Sequence, residues 1–172
     1  MTDDFEIALA EICIGPTAFV SVGNKSRADD GAGAAVCALL REAGVVHVYD
    51  GDTTPERLVP VLRDNGFASI IFFDAVDAQQ EAGTVMLMDA QKIHAAYPQV
   101  STHKLSLSSI ASLITDGNDC SVWLVGIQPE TIRLGVSHLS DAVENTTTWL
   151  AQRIATVVFA HAQPGLREHV CI

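Results

Sequence analysis

SIIFFDA, residues 69–75, is an apolar run that meets no charge until it ends on an aspartate. Such a run reads as a strand covered on both faces, in the middle of a parallel sheet. Upstream, TAFVSVG (17–23) has the same character and closes on glycine, and VVHVYD (45–50) is β-branched and aromatic. Downstream, VWLVGI (122–127) supplies the last strand. TVMLM (84–88) is a shorter one, joined to SIIFFDA by the polar loop DAQQEAG (77–83). That loop is too short for a crossover helix, which predicts an antiparallel strand.

The segments between these strands carry helical spacing. Phe5, Leu9 and Ile12 share one side of a short first helix that Gly15 and Pro16 end. Ala32, Val36, Leu39 and Leu40 recur at i, i+4, i+7 and i+8 in a second helix that ends near Gly44. A third runs from Pro55, with proline at its first position, to Asn65–Gly66. Residues 89–96 and 104–115 follow, the latter with Leu107, Ile110, Ala111 and Ile114 on one face, and a long amphipathic helix spans 138–160. Strands alternating with helices predict a three-layer α/β/α sandwich over residues 1–172. Its sheet is mostly parallel, with about five strands, one of them antiparallel.

Composition agrees and narrows the function. The 172 residues are 48% hydrophobic and 18% charged, which excludes a disordered chain and suits a single packed domain. Ten Lys and Arg against 21 Asp and Glu give a net charge of -11, which argues against nucleic acid and anionic membranes as partners. Cys13, Cys37, Cys120 and Cys171 are widely spaced, with no CxxC and no zinc-ribbon pattern. The opening MTDDFEIALAEI carries acids where a secretory signal needs Lys or Arg, and no apolar run approaches the ~20 residues of a membrane span. The expected location is the cytoplasm, and the expected state a monomer.

Three strand ends carry side chains able to ligate a metal. In GNKSRADDGAG (23–33), Asp29 and Asp30 stand where a helix begins. The GxGxxG spacing is absent, and two carboxylates occupy the place a phosphate would need. The plain reading of the pair is helix capping, which one acid satisfies. Asp74, closing IIFF, would need a cation, donors or a proton if buried, although a turn role for the loop containing Asp77 serves as well. His103 precedes KLSL at the expected start of a helix capped by Ser101 or Thr102, where the dipole favours a neutral ring. Its alternative is a partly exposed loop histidine. His47, His94, His138, His161 and His169 read as structural or solvated. If all the turns point the same way, Asp30, Asp74 and His103 meet on one rim as a donor set for a first-row divalent ion. The spacing leaves nickel, zinc, manganese and iron open.

These segments together resemble the nickel–iron hydrogenase maturation endopeptidases, most closely the branch serving the formate-hydrogenlyase type. VGNKSRADDGAG, YDGDTTPE, IIFFDAVDA, STHKLSL and WLVGIQPE occur in the order and spacing of that family. The resemblance implies a cytoplasmic protease that removes the C-terminal extension of a hydrogenase large-subunit precursor after nickel insertion. It places metal contacts on Asp30, Asp74 and His103, with Ni2+ brought by the substrate; the working hypothesis for the attack is a water activated by the metal or by a carboxylate, with Asp30 or Asp74 as the base. Asp50 matches a family position that shapes the site or simply ends a strand. Gln128–Glu130 forms a substrate-facing loop, or Pro129 merely ends a strand. Three positions depart from the family pattern, one of them Ser26, where many relatives have an apolar residue. Ala28 stands where relatives have glycine or a small polar residue, and Asp52 turns the usual DGGT into DGDT. A non-enzymatic nickel escort and a small-molecule hydrolase on a similar scaffold are the competing readings.

Overall fold

The computed structural model describes residues 2–96 and 106–162. In chain order they form α1 (Thr2–Ile12), β1 (Thr17–Ser21), a 3-10 turn (Ala28–Gly31), α2 (Ala32–Glu42), β2 (Val48–Asp50) and a second 3-10 turn (Pro55–Leu58). Then come α3 (Val59–Asp64), β3 (Ser69–Ala75), β4 (Val85–Asp89), α4 (Ala90–Ala96), α5 (Leu107–Thr115), β5 (Ser121–Ile127) and α6 (Asp141–Ala162).

The five strands make one sheet in the order β2-β1-β3-β5-β4. Pairing is parallel throughout except between β4 and β5. β4 is antiparallel, as the short loop requires, but its neighbour is β5 rather than the β3 that precedes it. Residues 76–84 instead pass over the end of β5, held by Val76 N–H to Ile127 O at 2.9 Å and Gln128 N–H to Thr84 O at 2.9 Å. That leaves the side of β3 free for the parallel, largely buried β5.

Alternation along each strand divides the core into two layers. Phe19, Ile71, Phe73, Val125 and Ile127 face α1, α2 and α6, meeting Leu9, Val36, Leu40, Val143, Leu150 and Ile154. Val20, Ile70, Phe72, Val122 and Leu124 face α3, α4 and α5, meeting Leu62, Ile93, Ile110 and Ile114. β1 and the first five residues of β3 are buried on both faces, which explains why SIIFFDA shows no polar alternation, while the edge strands β2 and β4 are half-buried. The three-layer α/β/α expectation is met. No described helix is long and apolar enough to cross a membrane.

Several boundaries differ from the sequence pattern for local reasons. Val45 belongs to the end of α2 rather than to β2. Its N–H reaches Leu40 O at 2.9 Å while Gly44, at φ +87°, donates to Arg41 O at 3.0 Å, a Schellman closure. The expected helix from Pro55 divides into a 3-10 turn and α3, with Pro60 in the first turn of α3, where a missing N–H costs nothing. α5 is capped by Ser106, whose Oγ accepts from Ser109 N–H at 3.2 Å, so Ser101 and Thr102 do not cap it. Neither Asp29 nor Asp30 caps α2: its N-cap is Gly31, and no side chain caps it.

α2 starts pressed against the sheet at Gly33. A Cβ there would run into the carbonyl oxygen of Phe73 and lie 2.8 Å from that of Val22. Gly33→Ala should therefore cost about 3 kcal/mol or more, because backbone must move to admit the methyl group. Gly44→Ala, with open space around it, should cost only ~1 kcal/mol of left-handed strain. Thermal melts of the two variants check the contrast, and equal losses would contradict it.

Candidate functional site

The strand order reverses between β1 and β3: the chain leaves β1 for β2 on one side, while β3 lies on the other. In open α/β sheets this switch point opens a crevice beyond the carboxyl ends of the two strands. Asp30 lies in the turn after β1, and Asp74 is the sixth residue of β3. The strands end in register, Ser21 opposite Phe73, with Val22 N–H donating to Phe73 O at 2.8 Å. The 3-10 turn that carries Asp30 packs against β3, which carries Asp74, so the two acids share one rim.

Their electrostatics bear out the proximity. Burial pushes the Asp74 carboxyl up to about 8, repulsion from Asp30 adds to the rise, and the Ala75 N–H opposes it. Asp77 takes the turn role considered for Asp74: its Oδ1 accepts from Gln79 N–H at 3.1 Å. Asp30 is half-buried, and its Oδ2 accepts from Asn24 N–H at 2.9 Å. A cation would relieve that repulsion and favour the ionised form of both acids, so the pair is a hard-oxygen donor set suited to a divalent ion or, once ionised, to activating a water. His103 lies outside the described residues. The helix expected from residue 104 begins at Leu107, capped by Ser106. Among the described residues, no group of three His, Cys, Asp or Glu stands ready to hold a metal.

Asp29, paired with Asp30 in sequence, has a different task. Its side chain is fully buried. Oδ2 accepts from Glu130 N–H at 2.9 Å, Thr131 N–H at 3.0 Å and the Ser140 hydroxyl at 2.9 Å, while Oδ1 accepts from Ser140 N–H at 2.7 Å. The backbone doubles the link: Asp29 N–H donates to Thr131 O at 3.1 Å, Ala28 N–H to Val136 O, and Gly135 N–H to Ser26 O at 2.8 Å. Residues 26–31 and 130–140 are thus laced together. Sequence reasoning missed this clamp, and the available signal was two adjacent acids at a helix start that needs only one. Gln128 was also underread. Almost fully buried, its Oε1 accepts from Ala78 N–H at 2.8 Å and Gln80 N–H at 3.2 Å, while its Nε2 donates to Asp77 Oδ1 at 3.2 Å. The signal was a polar residue directly after a buried strand.

Asp50 is a bracket for the loop beside the crevice. It accepts from Ser21 Oγ at 2.9 Å and from Lys25 Nζ at 2.8 Å. The Lys25 ammonium holds its carboxyl below the usual range, burial partly opposing. Ala28 and Asp52 both have left-handed backbone, at φ +48° and +50°. Asp52 stands where the family resemblance expected glycine and Ala28 where it expected glycine or a small polar residue, and the left-handed backbone supplies the reason for glycine there.

A doubly wound α/β protein with paired acids at its switch point is the class that fold and site define. The family model of HycI, described as a hydrogenase maturation protease, matches residues 36–157. The chain belongs to this hydrogenase maturation protease family and is a peptidase. Asp74 and His103 fall within the matched span, and Asp30 lies just before it. The hydrogenase 3 maturation protease of Escherichia coli K12 is 28% identical over 129 residues, covering 72% of this chain and 81% of that protein. The crystal structure of the [NiFe] hydrogenase maturation protease HycI from Thermococcus kodakarensis superposes with a TM-score of 0.77 at 27% identity, covering 88% and 99% of the two chains. The solution structure of the endopeptidase HycI from Escherichia coli shares the fold, with a TM-score of 0.72 at 23% identity, covering 82% and 90%.

The Asp29 clamp leaves an acid signature. Burial acts to raise the Asp29 carboxyl, but hydrogen bonds from Ser140, Thr131 and Glu130 outweigh it, and the net shift is downward. A depressed carboxyl stabilises the fold fully above its unfolded value, about 3.9, and that contribution disappears as pH falls through the folded value. Asp29→Asn should be less stable than wild type by about 3 kcal/mol at pH 7, the gap closing below about pH 4. Urea titrations between pH 7 and 2.5 measure it, and a gap independent of pH would refute the ionic clamp.

Proposed function

We propose that this peptidase removes the C-terminal extension of a nickel-loaded [NiFe] hydrogenase large-subunit precursor in the cytoplasm. The observation that carries the reading is the placement of Asp30 and Asp74 on one rim at the switch point, close enough for Asp30 to raise the Asp74 carboxyl. Their chemistry suits a divalent ion: two carboxyl groups, Asp74 with the Ala75 N–H beside it and Asp30 held by the Asn24 N–H, each with an oxygen to offer. Nickel in this reaction is part of the substrate, arriving already held by the precursor. A site offering few ligands cannot enclose an ion alone, but it can add ligands to one that a client presents.

Asp30, Asp74 and His103 are the residues assigned to that contact. Engaging the ion fixes the precursor in one register and brings the scissile peptide to the rim. Asp30 or Asp74 then takes the proton of the attacking water, and the tetrahedral intermediate collapses with a proton passed to the leaving amine. Selection for metallated precursor follows directly, since a nickel-free client lacks the group that the carboxylates recognise.

Asp30→Asn, Asp74→Asn and His103→Gln should each fold and shorten nickel-loaded precursor at least ~100-fold more slowly than wild type, the scale of losing a positioned acid or base. Wild type should leave nickel-free precursor intact. Intact mass of the precursor before and after incubation reads both outcomes. Normal processing by all three variants would remove the site assignment, and an unchanged precursor mass with wild type would favour an escort role instead.

A further inference from the structure

We infer that Asp29 is a positioning residue, locking the 130–140 loop onto the 28–31 turn and so holding Asp30 aimed at the end of β3. The inference rests on the reading that Asp30 acts at the site, and it assigns the neighbouring acid a separate role. Asp29 is not itself available to a substrate or an ion: its carboxylate is fully buried and accepts four protein hydrogen bonds.

The turn carrying Asp30 needs such a restraint. It is four residues of 3-10 helix without a side-chain cap, and it is entered through Ala28 at φ +48°, a conformation that residues with a Cβ avoid. Successive side chains in a 3-10 turn diverge by roughly 120°, so with Asp29 turned into the 130–140 loop, Asp30 is directed elsewhere. Asp30 has only light restraint of its own, its N–H to Arg27 O at 3.1 Å and its Oδ2 to Asn24 N–H at 2.9 Å. Without the Asp29 carboxylate the turn keeps only its backbone bonds to Thr131, Val136 and Gly135, and Asp30 loses the side-chain half of the link that fixes its direction. A ligand that samples several directions binds an ion more weakly than one held in place.

The test uses the full chain with Asp29→Asn, Ser140→Ala, and Leu150→Ala as a control. Leu150 is buried in α6 on the α1/α2 side of the sheet, and its truncation lowers stability without touching the turn. The measurements are melting temperature, calorimetric affinity for Ni2+ alone and for nickel-loaded precursor, and kcat/KM for cleavage, all at a temperature where each variant is folded. Asp29→Asn should weaken both affinities and lower kcat/KM at least tenfold. Ser140→Ala, removing one hydroxyl, should lose about threefold, and Leu150→Ala should stay within twofold of wild type despite its lower melting temperature. Asp29→Asn within twofold of wild type, or losses that follow melting temperature equally in Leu150→Ala, would overturn the inference. If Asp29→Asn does not fold, Ser140→Ala decides, and no change in it counts against. A wild-type protein that neither binds nor cleaves overturns the parent reading as well, whereas an active wild type matched by Asp29→Asn overturns only the positioning role.

Discussion

The carboxylate of Asp29 gives up water entirely and takes four protein donors in exchange. Hydrogen bonds to a charged group contribute about 1.5–3 kcal/mol each, and leaving several buried N–H groups without an acceptor would cost as much again. The interaction joins segments more than 100 residues apart: the turn after β1 and the loop that leads from β5 into α6. Everything proposed for the carboxyl edge depends on that junction, because Asp30 is the next residue and has no comparable anchor.

Beneath the junction, the sheet sets the distances. Parallel pairing of β1 with β3 stops both strands at the same level, and the strand order reverses between them, the place where open α/β sheets bind ligands. α2 closes one side by lying directly on the carbonyls of Val22 and Phe73, an approach only glycine at position 33 permits. On the other side of β1, Lys25, Ser21 and Asp50 tie the first loop to the end of β2. The rim is thus built from short restraints on several loops rather than from one rigid element.

Strain accompanies this construction. Ala28 and Asp52 adopt left-handed backbone without being glycine, and both belong to loops bordering the crevice. Each is held by backbone bonds that do not depend on its side chain: Ala28 N–H to Val136 O, and Gly23 N–H to Asp52 O at 3.0 Å. Local cost is tolerated where surrounding contacts over-determine the geometry, a pattern common at functional edges.

The amino-acid order alone determined the layers, the parallel strands, the antiparallel β4 and the two rim acids. These follow from periodicity and from abrupt endings of apolar runs, which are local properties. Legibility failed where a residue's role depends on a partner distant in the chain. Asp29 and Asp30 are indistinguishable as neighbours in DDG, yet one accepts four hydrogen bonds from the 130–140 loop while the other accepts from Asn24 N–H and raises the Asp74 carboxyl. Asp50 looked like a candidate for the site and is bracketed by Lys25 and Ser21. β4 paired with β5 because parallel β5 needed the buried position beside β3, a competition between strands that no single segment records. Local pattern dictates what a segment becomes, whereas which face of it meets which donor is decided only when the chain closes on itself and each buried charge must find its partners.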